Sequence, residues 1–314
     1  MTDPIQPNPA IAQMKPKEIN MKKSIPALLL SFVLLSWSGA VAAATVLTNR
    51  GSDTFLHLAQ AWATQYHEAH PEISVDIRGC GTGTGISALI NNHVDLANAS
   101  RPIKIKERIA AEANGVRPME HLVAHDALAI LIHPTNPLSW LSMAALAEVY
   151  DSKGTIDDWG KFGVRVPNCP GNRIHLVGRQ INSGTHDYFQ EVVLGERRDF
   201  KHNMESRDVS SSEEVVDQIG HNPCAIGYIG MAFESNRVKK LKISRESGTE
   251  LVEPTIENVM NRRYPISRPL FMYTNGMPQG EVKNYLGWIL SDAGQCQVQK
   301  TGFAPARPVT CPAQ

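Results

Sequence analysis

The sequence predicts an α/β protein of two lobes joined by two crossing strands, with a ligand site in the cleft between them. Three similar turns carry this prediction: Arg50–Phe55, Gly79–Gly85 and Arg179–Thr185. Each follows a short apolar strand, precedes a helical pattern and is rich in glycine or hydroxyl side chains. In open α/β sheets, ligands bind at the carboxyl ends of strands, which is where these turns lie. The repetition therefore predicts one concave site lined by helix N-termini.

The first half of the chain alternates strands and helices. Strands are predicted at Thr45–Leu47, Ile73–Ile77 and Leu96–Ala99, helices at Leu56–Tyr66, Ile86–Asn92 and Ile105–Asn114, and a final apolar run at Leu122–Ile132. This alternation is typical of a mostly parallel α/β unit. Pro134 and Pro137 end it.

The rest of the chain contains a second α/β pattern. Helices are predicted at Met143–Tyr150, Ser212–Ile219 and Glu281–Leu290, and strands at Ile174–Val177, Ala225–Ile229 and Leu270–Thr274. The apolar segments Ala127–Ile132 and Pro269–Tyr273 bracket the middle, so we expect them to cross between the lobes. One lobe is predicted to contain residues 45–130 and 265–314, and the other residues 131–264. Such lobes can hinge closed on a ligand.

Residues 1–44 are predicted to be an upstream extension and a secretory signal peptide. Met21-Lys22-Lys23 precedes an apolar run from Ile25 to Trp37, and the small residues of Ala40–Ala44 suit cleavage. The apolar run is shorter than the roughly 20 residues that span a membrane, which opposes an uncleaved anchor. We therefore expect a periplasmic protein cleaved near Ala44, with Met21 as the natural start and residues 1–20 as an upstream misread or an addition.

The mature chain is expected to be almost neutral. The full sequence has 31 basic and 31 acidic residues, and residues 1–44 contain four of the former and two of the latter. Cleavage therefore leaves 27 basic and 29 acidic residues, a net charge of −2. This balance argues against a nucleic-acid binder, which normally has a basic excess. An anion site must then depend on local dipoles and individual side chains.

Five cysteines in an exported chain permit disulfides. Cys296 and Cys311 are close in sequence near the C-terminus, and we predict that they pair. Cys169 with Cys224 is a weaker second pair that would leave Cys80 free. The alternative is that all five cysteines are reduced.

The turn at Arg179 combines groups that bind an oxyanion. Ser183-Gly184-Thr185 opens a predicted helix, whose first backbone N–H groups lack partners and carry partial positive charge. Glycine lets the backbone approach a ligand, and arginine offers a fork of donors that fits a phosphate or carboxylate edge. Taken alone, the turn favours an ordinary capped helix with Arg179 in a surface ion pair. The two other turns shift the interpretation to an anion site.

Other chemistries fit less well. Ser183, His186 and Asp187 lie on one turn, whereas catalytic triads draw on distant segments. The glycine-rich turn does not have the spacing of a dinucleotide-binding or P-loop motif. His121 and His125 have no cysteine or carboxylate at metal-ligand spacing. We therefore predict that the protein is not an enzyme and has neither cofactor nor metal.

Taken in order, the motifs resemble those of the phosphate-binding proteins (PstS) of bacterial phosphate ABC transporters, across residues 45–310. The matching segments are Gly51–Phe55, Gly81–Gly85, Val94–Ile103, Ile156–Trp159, Arg179–Thr185, Ala225–Tyr228 and Tyr264–Ile266. The resemblance implies a type II periplasmic-binding-protein fold that encloses dehydrated phosphate. The expected partners are inorganic phosphate and the permease subunits in the inner membrane; we expect a monomer that binds no nucleic acid.

The predicted ligand-binding residues come from all the turns. They are Asp53, Thr54, Phe55, Thr82, Gly83, Ser100, Arg101, Arg179, Ser183, Gly184 and Thr185. By resemblance, Thr54 donates its hydroxyl and N–H, Phe55 donates its N–H, and Thr82 replaces a serine of the family.

One position departs from the family pattern. Many members have an aspartate where this chain has Ser100, and that carboxylate accepts the proton of hydrogen phosphate and so rejects sulfate. Asp53 is our candidate for the missing acceptor, unless it merely caps the following helix. Two further interpretations stay open: a site for a different oxyanion, such as sulfate, molybdate or tungstate, and a role as a secreted scavenger, adhesin or sensor.

Overall fold

The computed structural model describes residues 45–195, 199–202, 209–233 and 235–312. The predicted extension, signal peptide and cleavage site lie outside the described residues. Within them, no helix is both long and apolar enough to cross a membrane.

Strands and helices alternate along most of the described chain. The strands are β1 (Thr45–Gly51), β2 (Ile73–Gly79), β3 (Leu96–Ala99), β4 (Pro118–Ile132), β5 (Trp140–Ser142), β6 (His175–Leu176), β7 (Ala225–Gly230), β8 (Lys239–Lys240), β9 (Lys242–Ser244), β10 (Ser267–Asn275) and β11 (Ala304–Pro305). The α-helices are α1 (Leu56–Ala69), α2 (Thr82–Ile90), α3 (Ile105–Ala113), α4 (Met143–Tyr150), α5 (Gly184–Phe189), α6 (Ser212–His221), α7 (Ile256–Met260), α8 (Gly280–Ile289) and α9 (Asp292–Lys300). Short 3₁₀ turns cover Trp159–Phe162 and Pro170–Asn172, and a π-helical turn at Gln190–Leu194 continues α5.

A mixed sheet forms the centre of the protein. Its strand order is β2-β1-β3-β10-β4-β7-β6, and β8 and β11 also pair with β4. β1 is parallel to β2 and β3, which gives the parallel unit expected for the first half of the chain. β10 is antiparallel to β3 and β4, and β4 is antiparallel to β7. β5 and β9 form a separate two-stranded sheet.

The long strand β4 connects the two ends of the sheet. Its residues 118–127 pair with β10, whereas its residues 128–132 pair with β7. Two apolar clusters on one side of this change draw on residues 47–124 and 270–303. A third cluster draws on residues 127–266 together with Ala304. Different parts of the chain therefore form the apolar core on the two sides of this point, which lies near the predicted lobe boundaries. The division into two lobes stays a prediction.

Helix α2 begins at Thr82, four residues before the predicted start. Gly83 and Gly85 are therefore helical rather than part of a turn. A Cβ atom on Gly85 would lie 2.5 Å from Gly51 Cα and 2.6 Å from Arg50 O. Glycine is needed there because α2 packs directly on the end of β1.

Helix α9 was not predicted, because its sequence lacks an apolar period. Its buried side includes Gln295, whose Nε2 donates to Val123 O at 3.1 Å and to Ile289 O at 2.9 Å. Its Oε1 accepts from Ala306 N at 2.8 Å. Gln295 can therefore lie in the buried face of α9, where most helices have an apolar residue, because its polar atoms have hydrogen-bond partners.

Two disulfides are present. Cys296 on α9 is bonded to Cys311, and Cys169 is bonded to Cys224 before β7. Their Cα–Cα separations of 5.5 and 5.1 Å lie within the usual range for disulfides. Cys80, between β2 and α2, is unpaired.

Candidate functional site

Five buried hydroxyl groups from distant parts of the chain lie together. They belong to Ser52, Thr54, Thr82, Ser100 and Thr185, which we call the hydroxyl cluster. Thr54 Oγ1 is 2.9 Å from Thr185 Oγ1, although the two residues are 131 positions apart. Ser52 Oγ donates to Ser100 Oγ at 3.0 Å, and Thr82 Oγ1 is 3.2 Å from Ser100 Oγ. The structure therefore brings the three predicted turns, and Ser100 after β3, to one place.

The turn between β1 and α1 holds Thr54 by a local hydrogen bond. Thr54 N donates to Ser52 Oγ at 3.2 Å. The next residue, Phe55, is completely buried in the apolar cluster under α1. Burial of the Phe55 ring fixes the turn that presents Thr54.

Helix α5 approaches the cluster through glycine. Ser183 is its N-cap, and the Ser183 hydroxyl accepts from Thr185 N at 3.2 Å. A Cβ atom on Gly184 would lie 2.3 Å from Ser100 Oγ and 2.5 Å from Thr82 Oγ1. Any larger residue at 184 would push α5 away from the hydroxyls. The predicted site glycine Gly83 already uses its N–H, which donates to Asn182 O at 3.2 Å.

Arg179 is fully buried and incompletely paired. Its Nη1 donates to Ser212 Oγ and its Nη2 to Ser210 O, both at 3.0 Å. Asp53 Oδ2 is 3.4 Å from Nη2, a long distance for an ion pair between charged groups. Within the described residues, Arg179 Nε has no hydrogen-bond partner. A buried guanidinium thus keeps donor capacity beside the turn that carries Thr54.

Desolvation dominates the titration of this pair. Burial lowers the pKa of Arg179, with the Asp53 charge opposing the shift. Burial likewise raises the pKa of Asp53, and the Arg179 charge opposes that shift. For both groups the cost of burial thus exceeds the stabilisation that the opposite charge provides.

Arg101, also a predicted ligand residue, lies in a dense ion-pair network. Its Nε donates to Asp187 Oδ2 at 2.8 Å, and its Nη1 and Nη2 donate to the two oxygens of Glu107, each at 2.8 Å. Nη1 also donates to Pro102 O at 2.9 Å, so four of its five N–H donors are engaged. Lys104 Nζ lies 2.6 Å from Asp187 Oδ2. We call Arg101, Lys104, Glu107 and Asp187 the ion-pair network; its formal charge is zero.

A second pair of charges was missed by the sequence analysis. Arg268 on β10 and Asp126 on β4 are both buried, and Arg268 Nη2 donates to Asp126 Oδ2 at 2.8 Å. The same Nη2 lies 3.2 Å from Thr54 Oγ1 and 2.9 Å from Thr185 Oγ1. The sequence contained a signal for this pair: Asp126 directly precedes the predicted crossing segment Ala127–Ile132, and Arg268 directly precedes Pro269–Tyr273. Buried charges occur mainly in pairs of opposite sign.

Comparison with known proteins defines the class first. Residues 38–293 match the profile of the PBP superfamily domain, so the chain is a member of that superfamily. Protein SphX of Synechococcus elongatus is 30% identical over 276 residues, which cover 85% of this chain and 79% of SphX. The phosphate-binding protein PstS of Pseudomonas aeruginosa is 32% identical over 270 residues, which cover 82% of each chain.

A solved structure agrees with these sequence relatives. It comes from Clostridium perfringens and is described as a phosphate ABC transporter substrate-binding protein with bound phosphate. It superposes with a TM-score of 0.74 at 26% identity and covers 84% of this chain and all of the other. The chain belongs to the phosphate-binding protein (PstS) family.

Proposed function

We propose that the chain is a periplasmic solute-binding protein that captures inorganic phosphate at the hydroxyl cluster and delivers it to an ABC permease. The observation that carries the proposal is the buried hydroxyl cluster beside Arg179, a guanidinium with an unpaired Nε among the described residues. The relatives named PstS and the phosphate-bound structure from C. perfringens support phosphate as the ligand.

The chemistry of the cluster suits a dehydrated oxyanion. Such an anion needs many hydrogen-bond donors to offset its lost hydration. The hydroxyls of Thr54 and Thr185 now bond to each other, as do those of Ser52 and Ser100. An anion bound beside these hydroxyls would receive their hydrogens instead, and Arg179 would add a charge-assisted donor.

The conformation described here is proposed to be the closed one. Several contacts join residues of the predicted first lobe to residues of the second: Thr54 with Thr185, Arg101 with Asp187, and His57 with Glu213, whose Nε2 and Oε1 are 2.8 Å apart. Opening the cleft would break all three, with β4 and β10 acting as the hinge.

We infer binding without catalysis. The Ser183 hydroxyl caps α5, and Asp187 Oδ2 binds Arg101 and Lys104. Both side chains are thus occupied by contacts that a Ser-His-Asp triad would have to replace. Export by a signal peptide cleaved near Ala44, a monomeric state and docking on an inner-membrane permease complete the proposal and rest on the sequence and the family.

The test is calorimetric titration of residues 45–314, stripped of ligand, with phosphate, arsenate and sulfate. We expect tight one-to-one binding of phosphate and weak binding of sulfate. Thr82→Val should lower phosphate affinity by about tenfold, since one charge-assisted hydrogen bond is lost. The matched control is Thr84→Val, an exposed position on the same helix, which should stay within about twofold. Absence of phosphate binding by the unmodified chain, or equal losses in the two variants, would contradict the proposal.

A second candidate is the same role for a different oxyanion. It rests on Ser100, which lies inside the hydroxyl cluster at the position where the family resemblance implies an aspartate. Tighter binding of sulfate than of phosphate in the same titration would select this candidate.

A further inference from the structure

The buried pair of Arg268 and Asp126 links the two crossing strands to the hydroxyl cluster. Arg268 Nε and Nη2 both donate to Asp126 Oδ2, at 3.1 and 2.8 Å. Arg268 Nη1 donates to Ser100 O at 3.3 Å. The guanidinium thus contacts the two strands and the backbone of a predicted ligand residue at once.

Asp126 holds this guanidinium in a fixed orientation. Its Oδ1 accepts from Met231 N at 3.2 Å, so both carboxylate oxygens are engaged. A Cβ atom on Gly230 would lie 2.9 Å from Asp126 Oδ2, so glycine leaves room for the carboxylate. Because the pair is neutral in sum, it orients groups at the site without adding net charge.

Arg268 Nη2 contacts the hydroxyl groups of both Thr54 and Thr185. Nη2 carries two hydrogens, of which one points to Asp126 and the other is shared between Thr54 Oγ1 and Thr185 Oγ1. A hydroxyl has one hydrogen and two lone pairs. With one lone pair of each oxygen facing a guanidinium N–H, neither hydroxyl can point its own hydrogen in that direction.

We propose that Arg268, held by Asp126, is a positioning residue that turns the hydroxyls of Thr54 and Thr185 into donors towards the bound anion. The inference rests on the proposed function and adds a specificity determinant to it. It assigns the hydrogens of these two hydroxyls to ligand oxygens, because each hydrogen is excluded from the guanidinium side and is left for the ligand. The proton of a protonated phosphate is then expected at a separate acceptor.

A merely structural role of the pair would give a different result in a double-mutant cycle. Arg268→Lys keeps the charge opposite Asp126 but cannot reach both hydroxyls with one flat fork. Thr54→Val with Thr185→Val removes the two hydroxyls and keeps the side-chain shape. If Arg268 acts through the hydroxyls, Arg268→Lys should lower phosphate affinity only in a chain that retains Thr54 and Thr185.

The experiment measures phosphate affinity by equilibrium dialysis with radiolabelled phosphate, which also covers weak binding. We expect Arg268→Lys to lower affinity by at least about tenfold in the unmodified chain and by less than about twofold in the double-valine chain. Arg173→Lys, in an exposed ion pair with Asp157, is the control and should have no effect in either background. Equal losses in both backgrounds, or no loss in the unmodified chain, would overturn the inference.

If circular dichroism shows that Arg268→Lys does not fold, a different variant replaces it. Arg268→Met with Asp126→Leu replaces the ion pair by apolar side chains of similar size, a change that folded proteins often tolerate. The same dependence on the two hydroxyls is expected, and an equal loss in both backgrounds would again overturn the inference. An unmodified chain that binds no phosphate overturns the proposed function and the inference with it. Binding by the unmodified chain with additive losses overturns the inference alone.

Discussion

Two buried arginines flank the hydroxyl cluster in contrasting environments. Arg101 donates to the carboxylates of Glu107 and Asp187 at 2.8 Å, whereas Arg179 has one carboxylate, Asp53, at 3.4 Å. Burial alone would lower the pKa of Arg101, but the two carboxylates raise it above its ordinary value. At Arg179 burial prevails and lowers the pKa. The comparison teaches that a buried arginine near a site is available to a ligand only when the protein leaves it short of partners.

The largest expected effect concerns the stability contributed by the ion-pair network. Arg101→Gln leaves the carboxylates of Glu107 and Asp187 without their main partner, which typically costs about 3–5 kcal/mol for a buried pair. Urea denaturation measures this loss in the free energy of unfolding. Phosphate affinity should change by less than about fivefold, since Arg101 donates mainly to protein groups.

Arg108→Gln is the matched control for that prediction. Arg108 is exposed on α3, the helix that carries Glu107 of the network, and its replacement should alter the free energy of unfolding by less than about 0.5 kcal/mol. The prediction would be wrong if Arg101→Gln abolished phosphate binding and left the free energy of unfolding unchanged, because Arg101 would then have the ligand-binding role assigned to Arg179.

Replacement of Arg179 should have the reverse profile. Arg179→Gln is expected to lower phosphate affinity by about 100-fold, equal to about 2.7 kcal/mol, because the site loses its incompletely paired cation. The free energy of unfolding should fall much less than in Arg101→Gln, since the removed charge is poorly compensated in the folded protein. Calorimetric titration and urea denaturation of the same sample measure both quantities. Retention of tight binding would show that Arg179 does not contact the anion.

The pH dependence of the free energy of unfolding tests the contribution of Asp187 to the ion-pair network. Burial opposes ionisation of Asp187, but the neighbouring His186 ring, the contact with Lys104 and the charges of Lys104 and Arg101 lower its pKa to about 2, from an ordinary value of 3.8. Because the folded-state pKa is the lower one, the stabilisation is present above about pH 4 and is lost as the pH falls through 2. It amounts to about 2 kcal/mol.

Urea denaturation between pH 5 and pH 2 provides the measurement, with the difference between two chains as the readout. The unmodified chain should lose about 2 kcal/mol more over this window than Asp187→Asn does. Parallel stability curves for the two chains would mean that Asp187 titrates normally.

The smallest expected effect concerns selectivity. If Asp53 supplies the acceptor for the phosphate proton, Asp53→Ala should reduce the ratio of phosphate to sulfate affinity by about two- to tenfold, the value of one hydrogen bond. Parallel titrations with the two anions measure the ratio. An unchanged ratio would leave Asp53 with the contact to Arg179 as its role.

The positions of the three turns were predictable because they follow from strand and helix patterns that local sequence encodes. Thr82 and Ser100 lie together because they follow the parallel strands β2 and β3, whose carboxyl ends lie at one edge beside that of β1. Thr185 follows β6, which is parallel to β7 and therefore runs opposite to β1, so its contact with Thr54 does not follow from parallel strands. Helix α9 was not predictable from apolar periodicity, since its buried Gln295 is satisfied by the backbone of Val123, 172 positions away, and of Ala306.

The different environments of the two arginines were also beyond the sequence. Asp187 is 86 positions from Arg101, and Asp53 is 126 positions from Arg179, so no local pattern reveals which carboxylate lies nearer. The charges beside the two crossing segments indicated at most the ion pair of Arg268 with Asp126, whereas the contacts of Arg268 with Thr54 and Thr185 come from two further segments. Pairing across the sheet, rather than any local preference, determines how these charges are used.

The unpaired Cys80 gives the chain a built-in attachment point for a chemical label. The four other cysteines are bonded in pairs, so a maleimide dye has one thiol to react with. Cys80 N donates to Gly51 O, and Cys80 O accepts from Asn182 Nδ2, so a dye there would lie between the turn after β1 and the turn after Arg179. Burial raises the pKa of this thiol, so labelling should proceed faster in mildly alkaline buffer. A fluorophore at this position would report directly on whether the two turns separate, without any engineered cysteine.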